Sequence, residues 1–72
     1  MKVKGVITRI SGKNITFELF SDDSVTLPVN NRNIIDEALL FMANQSVVVF
    51  WVECGEIYQV IKYDMNTHKD VA

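Results

Sequence analysis

Few side chains able to do chemistry stand where they could act together. Cys54 is the single cysteine and His68 the single histidine. Nucleophilic catalysis requires a nucleophile with a base in reach. Reactive thiols sit in electropositive surroundings, whereas Cys54 lies between Glu53 and Glu56 in "ECGE". One cysteine and one histidine supply neither an internal disulfide nor the Cys/His ligand set of a zinc site. Asp22 and Asp23 are adjacent carboxylates, but "SDDS" is the composition of a tight loop whose side chains bond their own backbone. The three glycines are scattered and form no phosphate cradle. These residues predict a protein that is not an enzyme, with no cofactor, metal or small-molecule substrate.

Binding is the other chemistry that residue types can announce. A single-stranded nucleic-acid site needs a cationic groove with aromatic stacking platforms. Lys2, Lys4, Arg9, Lys13 and Arg32, with Phe20 as the platform, are the candidates. The charge distribution is uneven. Residues 1–13 hold four basic side chains and no acidic one, whereas residues 14–72 hold three basic and nine acidic, for a net charge of -2. A general nucleic-acid binder carries a basic excess, which is absent. A protein interface is therefore the preferred reading, with nucleic-acid binding as the alternative. In "SVVVFWVEC" six consecutive apolar residues, Val47 to Val52, exceed what one face of a strand can hold, because alternate side chains point to opposite faces.

The elements that must position these residues follow from periodicity. The first strand spans 3–10. Its apolar Val6, Ile7 and Ile10 break alternation, which predicts a bulge, and Gly5 marks a close backbone approach. "SGKN" is a turn. Strand two, 14–20, alternates with Ile15, Phe17 and Leu19 inward. Strand three, 25–29, places Val25, Leu27 and Val29 inward, and Pro28 suits an edge or a strand end. Asn33 reads as a helix N-cap, with Asp36 three residues on. Ile34, Ile35, Ala38, Leu39, Phe41 and Met42 then share an arc of roughly 160°, the face of a core helix. The apolar run and 57–63 form a closing hairpin about Cys54–Gly55. Residues 64–72 read as a polar tail.

The order βββαββ predicts one mainly β domain over 1–63. The preferred architecture is a five-stranded OB-like barrel, with an open sheet carrying the helix on one face as the alternative. Hairpin pairing about Cys54–Gly55 sets Val52, Phe50 and Val48 against Ile57, Gln59 and Ile61 on the core face. Trp51, Val49 and Val47 then oppose Tyr58, Val60 and Lys62 on the other. Val49, Trp51, Tyr58, Val60 and Lys62 are thus the expected protein-binding patch, for a partner or for self-association as a homo-oligomer. A small regulator or inhibitor, of the kind phages and mobile elements encode, suits such a chain.

"GVITRI", "ITFELFSDDSVTLPV" and "SVVVFWV" together resemble the small barrels of S1 type, which include bacterial translation initiation factor one. The resemblance spans roughly residues 5–62 and implies an OB-type fold and RNA or ribosome binding. The chain departs from that pattern in two places. "NNRN" offers only Arg32 where the family clusters basic residues after strand three, and "NQS" replaces the glycine-aspartate before strand four. The alternating basic "MKVKGVITRISGK" has no apolar signal core, and no run approaches the roughly 18 apolar residues of a membrane span. A cytoplasmic location without membrane contact is expected. At this length about 60% of the unfolded surface is buried on folding, so oligomerisation is the stabilising device left open.

Overall fold

The computed structural model describes residues 1–64 and the strand at 69–71. His68 lies outside the described residues. In chain order the elements are β1 (Lys2–Ser11), β2 (Asn14–Leu19), β3 (Ser24–Pro28), α1 (Asn33–Ala43), β4 (Val47–Glu53), β5 (Glu56–Asp64) and β6 (Lys69–Val71). Among the described residues the protein is mainly β with one helix. Its strands form one antiparallel sheet in the order β3-β2-β1-β4-β5-β6. The five expected strands and the helix are all present. β6 is an addition, formed within the stretch read as a polar tail and paired to the end of β5.

The expected barrel is not closed. β3 and β5 meet at one parallel bridge, Val29 to Ile57, where the Asn30 N–H donates to the Ile57 carbonyl at 2.9 Å. A single bridge is not a ladder, so the open sheet with α1 packed on one face is the form adopted. Pro28 closes the short strand β3 at the sheet edge, where its missing N–H removes no ladder bond.

β1 is the hub. It pairs with β2 on one side and β4 on the other. Its register against β2 shifts between Ile7 and Arg9, leaving Thr8 as the extra residue of the expected bulge. The bulge returns both Ile7 and Ile10 to the core side. At Gly5 the strands come so close that a Cβ would stand 2.7 Å from the Glu18 carbonyl oxygen. Only glycine admits that approach.

The core lies between the sheet and α1. Ile7, Ile15, Phe17, Val29, Val48, Phe50, Ile57 and Val60 meet Ile34 and Ala38 of the helix. Phe17 of β2 and Phe50 of β4 stack with centroids 3.7 Å apart and 14° between planes. The helix start differs from expectation. Asn31, not Asn33, supplies the capping side chain, its Oδ1 accepting the Asn33 N–H at 2.9 Å. The helix ends in a Schellman motif: the Gln45 N–H donates to Met42 and the Ser46 N–H to Phe41, with Gln45 in the left-handed conformation usually held by glycine. Leu39, expected within the apolar arc, is exposed, as is Leu40. Among the described residues no helix is long and apolar enough to cross a membrane.

Candidate interaction surfaces

The closing hairpin begins as expected and then departs. Cys54 and Gly55 both take positive φ, 55° and 77°, the pair of left-handed residues that a type I′ turn requires. Glu53 faces Glu56 and Val52 faces Ile57. The next pair is not Trp51 with Tyr58 but Trp51 with Gln59, because the register shifts by one residue. Tyr58 is the extra residue of a second bulge. From there Phe50 faces Val60, Val49 faces Ile61, and Val48 faces Lys62.

That shift corrects the expected protein-binding patch. A one-residue slip moves every later side chain to the opposite face. Val60, expected outside, lies beside Phe50 in the core with 1% exposure. Val49 does face away from the core cluster, yet it has 0% exposure, flanked by Lys4 of β1 and Ile61 of β5. Trp51 is half-buried, with the Lys2 ammonium 5.4 Å from its ring centroid. Lys62 is exposed, opposite Val48. Of the apolar members only Tyr58, at 39%, reaches well into solvent.

Tyr58 does not stand alone. With Gln59, Val60 and Ile61 it forms one wall of a groove of about 300 Å³, and Ile34 and Glu37 of α1 form the other. Leu40, on the next turn from Glu37, continues that side of the helix and is exposed. Ile34, Glu37, Gln59 and Ile61 were missed from the sequence. The signal was present: apolar residues at 57, 60 and 61 break alternation in β5 as those at 6, 7 and 10 do in β1.

The cationic set is dispersed. The Lys4 ammonium sits 3.9 Å from the Tyr63 ring centroid, and Lys2 lies at Trp51. Such cation–π contacts are worth about 0.5–1 kcal/mol at exposed sites. Arg9, Lys13 and Arg32 are exposed. Lys13 adjoins the end of β3, its carbonyl accepting the Val29 N–H at 2.9 Å. Phe20 sits past the opposite end of β2, in the turn to β3. The proposed stacking ring therefore lies a strand's length from Lys13 and beside Glu18, Asp22 and Asp23.

Cys54 is exposed in its turn. Among the described residues no three His, Cys, Asp or Glu side chains gather to hold a metal ion. Compared with protein-family models, curated proteins and solved structures, the chain matches none.

Proposed function

We propose that this protein is a non-catalytic module that binds a protein partner through the groove between α1 and β5, with Tyr58 as its anchor. The bulge at Tyr58 carries this reading. It interrupts the ladder and leaves a large aromatic ring partly in solvent, beside a groove whose walls join Ile34 and Ile61 to the polar Glu37 and Gln59. Bulges re-aim side chains and are frequent next to functional sites. Tyrosines are prominent among the few residues that dominate binding energy at interfaces. The groove, about 300 Å³, is at the lower limit for small-molecule sites. That size suits one or two inserted side chains.

The nucleic-acid alternative draws less support. Lys2 and Lys4 stand over aromatic rings, and Phe20 lies among carboxylates that repel phosphate.

Affinity capture with wild type, Tyr58→Ala and Leu40→Ser, followed by light scattering on each protein, tests the proposal. A partner held by wild type and lost with Tyr58→Ala is the expected result. If the partner is a second copy, wild type exceeds its 8.2 kDa monomer mass and Tyr58→Ala returns to it. Capture and mass that are identical for wild type and both variants would overturn the proposal.

A further inference from the structure

The turn between β2 and β3 forms a second surface, built from other elements and of a different chemical character. Phe20 is 61% exposed there. Val6, Leu19 and Phe20 line a depression of about 290 Å³, with Glu18 and Asp22 on its rim. The turn holds this arrangement in place. The Leu19 N–H donates to the Asp23 carbonyl at 2.8 Å and the Asp22 N–H to the Leu19 carbonyl at 3.0 Å. Asp22 is in the left-handed conformation at φ 68°, which aspartate tolerates better than most residues. The Ser21 hydroxyl meets Asp23 Oδ2 at 3.2 Å. Both charged residues that line the depression are acidic. Lys4, two residues before Val6, directs its ammonium to the Tyr63 ring instead.

We infer that this corner docks a partner protein segment in which an arginine or lysine is flanked by apolar residues. The aliphatic stem of such a side chain covers Val6 and Leu19, as long cationic side chains do on apolar surface. Its charged head is held by the carboxylates of Glu18 and Asp22 and by the face of Phe20. Arginine fits best, because its planar head both stacks on a ring and bonds carboxylates. Phosphate-bearing partners are disfavoured by the same charges. The site shares no residue with the α1–β5 groove, so either can fail without the other.

A ¹H–¹⁵N titration of the whole chain with acetyl-Leu-Arg-Leu-amide, and with its citrulline counterpart, tests the inference. The arginine peptide is expected to move the amides of Val6 and residues 18–23. The neutral citrulline peptide, the Phe20→Ala variant and the Glu18→Gln/Asp22→Asn variant are each expected to bind about tenfold more weakly, a loss of 1.4 kcal/mol. Added salt weakens the arginine peptide and not the citrulline one. Tyr58→Ala leaves the response unchanged. Equal responses to the two peptides, shifts confined to α1 and residues 58–61, or no response would each overturn the inference. So would concentration-dependent shifts at 18–23 without peptide, which would assign the corner to a second copy of the chain.

Discussion

The β1–β2 and β4–β5 hairpins are built from the same parts and use them differently. Each turns on a two-residue loop, Gly12–Lys13 in one and Cys54–Gly55 in the other, and each has one strand that carries a bulge. In β1 the extra residue is Thr8, whose hydroxyl donates to the Thr16 carbonyl on the neighbouring strand at 3.3 Å. That bulge is absorbed within the sheet. In β5 the extra residue is Tyr58, which opens to solvent beside the helix. One bulge serves packing alone, bringing Ile7 and Ile10 to the same side. The other also produces a surface. A bulge thus costs a ladder position in both places, and the chemistry of the extra side chain decides what the interruption is for.

If the two hairpins share one core, truncating their stacked phenylalanines gives the largest effects. Phe17→Ala and Phe50→Ala should each lose about 3–5 kcal/mol in urea denaturation. The double variant should lose less than the sum, because the rings are in contact. Strict additivity would separate the hairpins energetically. The β5 register is tested next. Val60→Asn should cost about 2–4 kcal/mol, since it places an unpaired amide in the core and removes apolar area. A bulge-free register would leave that change at the surface and nearly neutral.

Gly5→Ala tests the β1 side of the comparison. With the Glu18 carbonyl so close, the strands must separate, at about 1–3 kcal/mol. Deleting Thr8 or Tyr58 is a gentler change. Each deletion restores plain alternation without moving a core residue to the wrong face. Both proteins should keep the native pattern of sheet amide shifts, within about 1 kcal/mol of wild type for the loss of one hydrogen bond or local contact. Loss of partner binding is expected only without Tyr58. The smallest effect lies in the second turn. Cys54→Asn replaces a residue that resists positive φ by one that accepts it, and should add about 0.5 kcal/mol. At this chain length that is a rise of roughly 2–4 °C in thermal midpoint.

Much of this fold was legible from residue types. The alternation of Ile15, Phe17 and Leu19, and of Val25, Leu27 and Val29, placed β2 and β3 and their inward faces. The break at Val6, Ile7 and Ile10 marked the first bulge, and Gly5 marked the close approach. The second bulge was equally visible in Ile57, Val60 and Ile61, but regular pairing from the Cys54–Gly55 turn concealed it. Asn31 was overlooked as the helix cap because Asn33 stands nearer the apolar run. β6 had no local signal at all, since three residues of mixed character become a strand only where β5 offers them an edge.

The candidate surfaces divide in the same way. That Tyr58 and Phe20 are large aromatics, each with an apolar residue before it and a polar one after it, is a property of the chain itself, as is the acidic character of residues 18–23. That Val49 is covered, that Val60 is core, and that α1 stands beside β5 to make a groove were decided by tertiary structure. The reason is geometric. Periodicity within a strand sorts side chains into two sets, but it does not say which set a neighbouring element will cover. One extra residue exchanges the sets from that point onward. The sequence by itself determined β1 to β5, the helix and the turns between them. Packing across strands determined which of their faces were left for a partner.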